Sequence, residues 1–404
     1  MKIASPEEQI GPCAGFTVLD FSSMVSGPLC GQNLGDLGAD VIKIESLSGD
    51  TARWLGPPER AGLNGFFTQH NRNKRAIALD LKSEQGREIA QELARRADVV
   101  IENFRPGVAD RLGIGYEQLK QDNPGLVYVS ISGFGPDGPY ANQPVYDLMI
   151  QGMSGMMPIQ GGDGPPQMFK SVIADKNAAI TAASCTLAAL LARERDSGQG
   201  RGLGQHVQVP MLNAYAQLTM PDNMTTESFQ PKPEFEGTIP DMFRVWECSD
   251  GHLVGMVILD KQYQGLCDCL GREDLAQDER FVEMGARMQN NHALNEILAE
   301  EFRKWACQEL LQKLREHQVP FAPVYDVQDF MADPQVAHNR TVFDAEDPQG
   351  GTTRYIRHPG VYEKTPATLR RHPPRHGEHT DEILLEAGFS AEQVAGWREA
   401  GVIA

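Results

Sequence analysis

The sequence predicts an α/β fold, with a large domain built on a mainly parallel sheet and a smaller second domain. The first half of the chain alternates short apolar segments with helical segments, which favours parallel strands with helices on both faces. A polar, proline-bearing segment over 221–241 separates this half from a hairpin followed by helices. With 404 residues, 41% of them hydrophobic and 23% charged, the chain is long enough for two or three domains with their own cores.

Five strands are predicted in the first half, each from a short apolar run: FTVLDFS (16–22), ADVIKIES (39–46), RAIALDLK (75–82), DVVIENF (98–104) and LVYVSIS (126–132). Helices are predicted between several of them. GPLCGQNLGDLG begins a short helix after the first strand. SEQGREIAQELARRA (83–97) is an amphipathic helix with Ser83 as its N-cap, and YEQLKQDN forms a helix before the fifth strand.

The segment from Gly133 to Lys170 breaks this alternation, because it is rich in glycine, proline and methionine. A long segment of this kind in a compact domain is more often functional than passive. It includes GFGPDG (133–138), which has the letters of a dinucleotide-binding loop. The prolines within and after these letters disfavour the helix that such a loop requires, so we do not expect a dinucleotide site.

Asp175 lies where this segment gives way to a long alanine-rich helix. A carboxylate there faces the unpaired N–H groups and the positive dipole end of the helix, and both favour its ionised form. An ionised, positioned carboxylate can attack an acyl carbon and form a covalent intermediate. The alternative is that Asp175 is only the N-cap of the helix, and the local sequence by itself favours this alternative.

The second half is predicted to hold a strand, a linker, a smaller unit and a short return to the first domain. In order, these are the strand HVQVPML (206–212), the polar linker, a hairpin over 241–259 with Ser-Asp-Gly at its turn, helices over roughly 261–317, the connecting segment 319–334 and two short helices. The last helix begins at Ser390, which forms a capping box with Gln393, and ends near Gly401.

The formal net charge of −18 makes nucleic acid a poor partner, because binding to its phosphates needs a basic face. A small anionic ligand remains compatible with this charge where cations gather locally. They gather within NRNKR, at Arg72, Lys74 and Arg75, and again at Arg105 and Arg111 after a predicted strand. The alternative for each cluster is a solvated surface.

No apolar run reaches the length of a membrane span, and the N-terminal segment MKIASPEEQIGPCAG lacks the apolar core of a signal peptide. The seven cysteines show no disulfide framework, which predicts reduced thiols and a cytoplasmic location. Cys267 and Cys269 have no second cysteine pair or histidine at ligand spacing, so we expect packing or surface cysteines and no metal site.

Motifs along nearly the whole chain are similar to those of one family: VLDFSSMVSGPLCGQNLGDLGADVIKIE (18–45), GDTAR (49–53), NRNKRAIALDLK (71–82), VVIENFRPGVADRLG (99–113), VSISGFGPDGPY, ADKNAA, SGQGRGLGQHVQVPML, LGREDLAQDERF, VPFAPVYDVQDFMADPQ and GEHTDEILLEAGFS. Through them the chain resembles the class III CoA-transferases. This family contains formyl-CoA transferase, carnitine CoA-transferase and the related alpha-methylacyl-CoA racemase.

The resemblance implies that Asp175 is the catalytic nucleophile. It would attack the thioester of a donor acyl-CoA, giving a mixed anhydride and free CoA thiolate, which then forms an aspartyl-CoA thioester. The donor acid leaves, an acceptor carboxylate attacks, and the steps run back to a new acyl-CoA. Coenzyme A and acyl-CoA are thus substrates, and no permanently bound cofactor is expected.

The resemblance also places the family's CoA contacts on positions of this chain: Met24, Val25, Leu79, Lys82, Asn103, Phe104, Arg111 and Tyr146. Asn103 and Phe104 end a predicted strand, at the edge of a doubly wound sheet where ligands usually bind. Arg111, together with Arg72, Lys74 and Arg75, suits the nucleotide phosphates. The alternatives are that Phe104 only packs and that Arg111 only caps its helix.

Departures from the family pattern bear on the reaction. Ser46 stands where formyl-CoA transferase has an arginine, and Val25 stands where it has a glutamine, which weakens any expectation of its oxalate chemistry. The racemase has a His-Asp pair where this chain has Tyr146 and Asp147. A racemase needs bases to remove and return an alpha proton, and tyrosine is a poor base near neutral pH, so a transferase is favoured. The alternatives are a racemase-like enzyme and a CoA-binding protein without catalysis.

By resemblance, the chain forms a Rossmann-like CoA-binding domain from 1–212 and 332–404 and a smaller α+β domain from 241–318. Linkers over 213–240 and 319–331 would join these domains. Two ring-like monomers would interlock into a homodimer.

Overall fold

The computed structural model describes residues 10–56, 59–196, 202–232 and 243–404. The chain divides into two compact units, one made of Met1–Leu218 and His338–Ala404 and the other of Thr219–Ala337. Among the described residues, no helix is both long enough and apolar enough to cross a membrane.

The first unit has strands from both ends of the chain. They are β1 (Thr17–Asp20), β2 (Asp40–Glu45), β3 (Glu59–Arg60), β4 (Leu63–Asn64), β5 (Lys74–Ala78), β6 (Val99–Glu102), β7 (Val127–Ser132), β8 (His206–Pro210), β12 (Val342–Asp347) and β13 (Gly351–Ile356). Its helices are α1 (Ser26–Asp36), α2 (Gly65–Thr68), α3 (Glu84–Arg96), α4 (Val108–Arg111), α5 (Tyr116–Asp122), α6 (Asp147–Met153), α7 (Met156–Gly161), α8 (Ile173–Arg195), α17 (Thr380–Glu386) and α18 (Ala391–Glu399). A short 3-10 helix lies at Thr51–Trp54 in this unit, and another lies at Thr225–Glu227 in the second unit.

The second unit combines a small antiparallel sheet with short helices. Its strands are β9 (Val245–Glu247), β10 (His252–Gly255) and β11 (Phe321–Pro323), in the order β11-β10-β9. Its helices are α10 (Asp260–Leu270), α11 (Glu273–Ala276), α12 (Met284–Gln289), α13 (Asn291–Phe302), α14 (Cys307–Glu316) and α15 (Val327–Ala332), while α9 (Met211–Asn223) and α16 (Pro334–Asn339) cross its boundaries. Cys267 and Cys269 pack in its core.

The main sheet has six parallel strands in the order β5-β2-β1-β6-β7-β8. The five strands predicted in the first half of the chain and the strand at 206–212 are all present in it. The chain begins at β1, extends to one side through β2 and β5, and then extends to the other side from β6 onward. The strand order therefore reverses between β1 and β6, and in open α/β sheets ligands bind beyond the carboxyl ends of the strands at such a point.

Helices cover both faces of this sheet, as the alternation in the sequence predicts. On one face α1 and α8 pack over residues such as Val18, Val99 and Val129. On the other face, the core joins α3 and α5 to the C-terminal helices α17 and α18. Alanines at 178, 179 and 182 are fully buried in α8, and such small side chains allow α1 and α8 to approach closely.

Three segments differ from their sequence predictions. Residues 213–223, predicted as the start of a linker, continue α9, and their buried Ala214 and Tyr215 belong to the core. Residues 321–323 lie within the predicted linker 319–331 but add strand β11 to the smaller sheet. The hairpin of β12 and β13 was not predicted. The predicted hairpin at 241–259 is present as β9 and β10, although residues 241–242 lie outside the described part of the chain.

Two predicted helix caps are present as the sequence indicates. The Ser83 hydroxyl accepts the N–H of Gly86 at 3.0 Å. Ser390 and Gln393 form the reciprocal capping box, with Ser390 N–H bound to the Gln393 side chain at 2.8 Å. Each cap satisfies orphan donors at a helix start, so α3 and α18 begin where the sequence predicts.

Charged side chains lie buried beneath the carboxyl end of β1. Lys74 donates from Nζ to Oδ2 of Asp20 at 2.7 Å, to the Pro28 carbonyl at 2.7 Å and to the Asn71 side chain at 2.9 Å. Burial lowers the pKa of Lys74 to about 8. Burial by itself would raise the pKa of Asp20, but the adjacent lysines hold it below its ordinary value. Both groups therefore remain charged near pH 7, and each compensates the other.

We expect Lys74→Met to lower the free energy of unfolding by about 3–5 kcal/mol, because the change leaves Asp20 buried without its partner. Urea unfolding, followed by circular dichroism, measures this loss. Lys120→Met is the matched control, since Lys120 forms an exposed pair with Glu117 in α5 and should cost far less. Equal losses in the two variants would contradict a stabilising role for the buried pair.

Candidate active site

The loops that follow β1 and β6 meet at the point where the strand order reverses. Asn103, directly after β6, connects the two loops through two hydrogen bonds to Ser23 in the loop after β1. Its side-chain Nδ2 donates to the Ser23 carbonyl at 2.8 Å, and its Oδ1 accepts the Ser23 N–H at 2.9 Å. The amide thereby fixes the β1–α1 loop against the end of β6.

Buried charged side chains also hydrogen-bond to the β1–α1 loop. Lys43 donates from Nζ to the Ser22 carbonyl at 2.8 Å and pairs with Asp50 at 2.9 Å. Asp50 in turn accepts the N–H of Met24 at 3.1 Å. Met24 has a φ of 68°, a left-handed conformation that is uncommon for a residue with a side chain. These contacts stabilise that conformation, which turns the chain into α1.

Helix α1 begins at Ser26, and Gly27 follows in close contact with the loop. A Cβ atom at Gly27 would lie 2.1 Å from the Cβ of Ser22, so a larger residue requires the loop to move. Ser26 itself is only 3% exposed. Its hydroxyl oxygen accepts from Asn103 Nδ2 at 3.3 Å.

Asp175 is the third residue of α8, because the helix starts at Ile173 with Val172 as its N-cap. The alternative of Asp175 as the N-cap is therefore wrong. The cap is supplied instead by Asp147, whose Oδ2 accepts the N–H of Ala174 at 2.6 Å and that of Asp175 at 3.0 Å. Asp147 is 5% exposed, and it satisfies two of the unpaired donors at this helix start.

The Gly-, Pro- and Met-rich segment supplies the support for Asp147. Gln151 donates from Nε2 to Oδ1 of Asp147 at 2.5 Å and to the Ser171 carbonyl at 3.0 Å, and its Oε1 accepts the Phe169 N–H at 3.0 Å. Helix α6 is thus tied to the turn that precedes α8. The segment flagged as functional in the sequence therefore positions the start of the helix that carries Asp175.

The pKa of Asp175 is raised to about 6, first by burial and second by the nearby charge of Asp147. The polar groups of Ser26 oppose this rise in the pKa. Asp175 is consequently mostly ionised at pH 7, yet more basic than an ordinary aspartate. Such a carboxylate, partly buried and held at the start of two helices, is suited to act as a nucleophile.

The cations of NRNKR, which the sequence predicts as phosphate contacts, form ion pairs within the folded chain. Arg72 pairs with Asp36 at 2.5 Å, and Lys74 with Asp20 at 2.7 Å. Arg75 pairs with three carboxylates, those of Asp40, Glu382 and Glu386. All three cations are buried, so their charges stabilise the fold. The physical reason is that each faces a carboxylate brought close by the sheet or by the C-terminal helices.

The other predicted contacts fall into three groups. Met24 and Asn103 lie together at the reversal of the strand order, and buried Val25 is the N-cap of α1. Lys82 and Arg111 are exposed, as is Tyr146 directly before Asp147. The remaining two, Leu79 and Phe104, pack against the core of the sheet.

Leu79 is the more deeply buried of these two residues. Its side chain is fully buried, and its backbone N–H donates to the Glu45 carbonyl at 2.8 Å, so the side chain offers no ligand surface. Phe104 is only partly buried, and its N–H donates to Glu102 at 2.8 Å. Packing and ligand contact are therefore compatible for Phe104.

A cavity of about 300 Å³ adjoins Phe104 and the exposed Arg105, and Glu102 and His206 also line it. Burial raises the pKa of Glu102 to about 7. Asp175 is not part of its lining, so we do not assign this cavity to the same site. Within the part of the chain that the structure describes, no cluster of histidine, cysteine and acidic side chains could hold a metal ion.

Sequence reasoning missed Ser26 and the capping role of Asp147. Ser26 directly follows Met24 and Val25, which the resemblance implies as CoA contacts. Its hydroxyl lies at the start of a helix that follows a buried strand, and this position could have marked it as a candidate site residue. Asp147 precedes Asp175 by 28 residues, and only the folded chain brings the two together.

Comparisons with known proteins agree on one family. The model of CoA-transferase family III matches residues 13–380. The chain is 35% identical to a succinate–glutarate CoA-transferase of Agrobacterium fabrum, over 93% of this chain and 95% of the relative. It is 37% identical to an acetyl-CoA:oxalate CoA-transferase of Acetobacter aceti, over 83% and 87% respectively.

A solved structure gives the same result at the level of the fold. The crystal structure of a CAIB/BAIF family protein from Brucella suis superimposes with a TM-score of 0.81 at 36% identity. The match covers 94% of this chain and all of the other. The sequence resemblance is thus confirmed, and the chain belongs to CoA-transferase family III.

Proposed function

We propose that this enzyme moves CoA from an acyl-CoA donor to a carboxylic acid acceptor through covalent intermediates on Asp175. The observation that carries the proposal is the Asp175 carboxylate, mostly ionised but with a pKa of about 6, at the start of α8 and against the start of α1. Membership of CoA-transferase family III supports the overall reaction. The position of the carboxylate supports the covalent route.

In the first step, an oxygen of Asp175 bonds to the thioester carbon of the donor, and the carbon–sulfur bond breaks. This gives a mixed anhydride and CoA thiolate. The thiolate then attacks the Asp175 carboxyl carbon, the anhydride bond to that carbon breaks, and the donor acid leaves as its carboxylate. The acceptor carboxylate attacks the resulting aspartyl-CoA thioester, and the reverse sequence yields the new acyl-CoA and free Asp175.

The surroundings of Asp175 fit this chemistry. Each attack on its carboxyl carbon places negative charge on an oxygen of the same group. Ser26, at the start of α1, favours the charged form of this carboxylate, so the surroundings can also stabilise that charge. The raised pKa makes the carboxylate a better nucleophile than an exposed aspartate, and ionisation is still largely complete at pH 7.

We propose that CoA lies over the carboxyl ends of β1 and β6, against Met24, Val25, Asn103 and Phe104. The hydrogen bonds between Asn103 and Ser23 support this placement, since they fix the β1–α1 loop at the point where the strand order reverses. The exposed Lys82 and Arg111 are the predicted cations that remain available for phosphates. Tyr146 completes the predicted set, beside the residue that caps α8.

The acceptor class follows from the relatives by analogy. The names of several relatives include the dicarboxylic acids succinate, glutarate, oxalate and mesaconate. We therefore propose a small carboxylic acid as acceptor and take these four acids as the first panel to assay.

We also propose that the enzyme works as a homodimer. The support is the number of large apolar side chains exposed near the start of α8 and along it. They are Tyr146, Leu148, Met149, Met153, Met168, Phe169, Ile180 and Leu191. Exposed apolar side chains gathered in this way are typical of association surfaces.

Asp175→Asn should lower the rate of CoA transfer by several orders of magnitude, because it removes the proposed covalent nucleophile. In the wild type, donor acyl-CoA without acceptor should leave an adduct that hydroxylamine converts to a hydroxamate on the peptide containing Asp175. Peptide mass spectrometry locates the label. CoA binding, measured by calorimetry, should survive the substitution.

Asp163→Asn is the matched control, because Asp163 is an exposed acid shortly before α8. It should retain turnover and the label on Asp175. If Asp175→Asn exchanges CoA at the wild-type rate, or if the label lies on another residue, the covalent route through Asp175 is wrong.

Arg111→Ala should raise the apparent KM for acyl-CoA, because it removes a charge-assisted contact with a phosphate worth about 1.5–3 kcal/mol. The expected kcat at saturating donor stays close to that of the wild type. Steady-state kinetics over a range of acyl-CoA concentrations separates the two constants. Lys120→Ala, another exposed cation, is the control and should leave KM unchanged. An unaltered KM in Arg111→Ala would place this arginine outside the CoA site.

Asp147→Asn should shift the acidic limb of the kcat/KM profile to lower pH. The Asp147 charge raises the pKa of Asp175, so its removal lowers that pKa, and the reactive carboxylate then persists to lower pH. The substituted side chain keeps an oxygen for the N–H groups of Ala174 and Asp175. A pH–rate profile from pH about 5 to 9 spans the expected limb. A limb that moves to higher pH would contradict the assigned repulsion.

A further inference from the structure

We infer that Gln151 is a positioning residue for the transfer reaction, because its side chain holds both the carboxylate that caps α8 and the turn that leads into α8. The inference deepens the proposed function and rests on Asp175 as the nucleophile. The effect of Gln151 on the reaction is transmitted through Asp147 and through the backbone at the start of α8.

Helix α6 buries polar side chains and exposes apolar ones, which is the reverse of the usual pattern. Asp147 and Gln151 are 5% and 2% exposed, whereas Leu148 and Met149 are 52% and 42% exposed. Burial of a carboxylate and an amide costs free energy unless hydrogen bonds compensate for the lost water. Because Asp147 and Gln151 are four residues apart in the helix, they lie on the same face and hydrogen-bond to each other. The buried face of α6 is thus built for hydrogen bonding.

The orientation of the Gln151 amide follows from its partners. Its Nε2 donates to Oδ1 of Asp147 at 2.5 Å, to the Ser171 carbonyl at 3.0 Å and to the Phe169 carbonyl at 3.3 Å. Its Oε1 accepts the Phe169 N–H at 3.0 Å. Turning the amide over would place Oε1 against three oxygen acceptors and Nε2 against a donor. The donor of the amide therefore faces Asp147.

These hydrogen bonds fix two features at the start of α8. While Oδ1 of Asp147 is held by Gln151, its Oδ2 accepts the N–H of Ala174 at 2.6 Å and that of Asp175 at 3.0 Å. The remaining bonds of the amide hold the turn directly before the N-cap of the helix. One side chain thus supports the cap on α8 and the chain entering it, and the backbone N–H of Asp175 is anchored through the same network.

The position of the Asp175 carboxylate depends on this backbone, because Asp175 is the third residue of α8. Attack on a thioester requires a carboxylate oxygen to lie close to the acyl carbon, and a displacement of about 1 Å can lower the rate by on the order of 10²-fold. In the proposed arrangement CoA lies over β1 and β6, and Gln151 does not belong to the proposed contacts. Loss of its hydrogen bonds should therefore slow the chemical steps without weakening donor binding.

The first test compares Gln151→Met with the wild type. Methionine has a similar length but makes none of these hydrogen bonds, so the cap and the turn lose their common support. We expect kcat to fall by about 10–10²-fold, with little change in the KM for acyl-CoA. When donor is supplied without acceptor, the adduct on Asp175 should form more slowly but reach the wild-type amount per chain. Less adduct formed at the normal rate would indicate a partly unfolded variant and would contradict a positioning role.

The second test exchanges the donor and the acceptor of the pair. Gln151→Glu places an oxygen against Oδ1 of Asp147, and the contact between two carboxylates should lower kcat at least as much as Gln151→Met does. When Asp147→Asn is added to Gln151→Glu, the new amide can donate to the new carboxylate, and its oxygen can still accept the N–H groups of α8. This double variant should recover part of the kcat lost in Gln151→Glu. Losses from two independent side chains would instead add.

Gln32→Met is the matched control. Gln32 lies in the middle of α1, is also a buried glutamine, and its Oε1 accepts the Arg72 N–H at 3.1 Å. This variant removes a buried hydrogen bond to the backbone but leaves Asp147 and the turn before α8 unchanged. It should retain the wild-type kcat and the wild-type rate of adduct formation. Thermal denaturation of each variant confirms that the fold is intact.

A wild-type kcat and a wild-type rate of adduct formation in Gln151→Met would overturn the inference. So would a double variant whose kcat is no higher than that of Gln151→Glu, since Gln151 would then not act through Asp147. Both outcomes leave the proposed function standing as long as Asp175→Asn is inactive and the wild-type label lies on Asp175. Activity in Asp175→Asn would instead refute the proposed function itself.

Discussion

The arrangement of the site depends on buried charge pairs beneath the carboxyl end of β1. Replacing such pairs with apolar residues is often neutral for stability, so their presence does not by itself explain a stable fold. Their hydrogen bonds to the backbone are more informative. Lys43 binds the Ser22 carbonyl, Asp50 binds the Met24 N–H, and Lys74 binds the Pro28 carbonyl at the first turn of α1. The charges therefore fix the path of the loop that aims the start of α1 at Asp175.

This use of charge explains why the cations of the basic cluster are found in internal ion pairs. A chain with a net charge of −18 has many carboxylates near any cation. Arg72 and its partner Asp36 are 36 residues apart, and Lys74 and Asp20 are 54 apart, so the pairing is visible only after the sheet forms. Sequence clustering identified where cations concentrate but not what neutralises them. Arg111, by contrast, is a cation that remains exposed.

Much of the large domain was predictable, because buried parallel strands are apolar runs and their helices carry a clear periodicity. Asp175 was also predictable, from its place before an alanine-rich helix and from the family motifs. The elements that were missed lack these local signals. The hairpin of β12 and β13 exposes half of its residues, and β11 is three residues long. The cap on α8 comes from Asp147 across a long loop, so no pattern within the helix indicates it.

Asp147 links the structural and the chemical requirements of the site. Its carboxylate satisfies the first N–H groups of α8, and the same charge opposes ionisation of Asp175. A neutral cap would lower the pKa of Asp175 and with it the basicity of this carboxylate. An uncapped helix would leave buried donors unpaired. Because Ser26 lowers the same pKa, the carboxylate stays largely ionised near pH 7 and is yet more basic than a solvated aspartate. The cap on α8 thus also tunes the pKa of the carboxylate that we propose as the nucleophile.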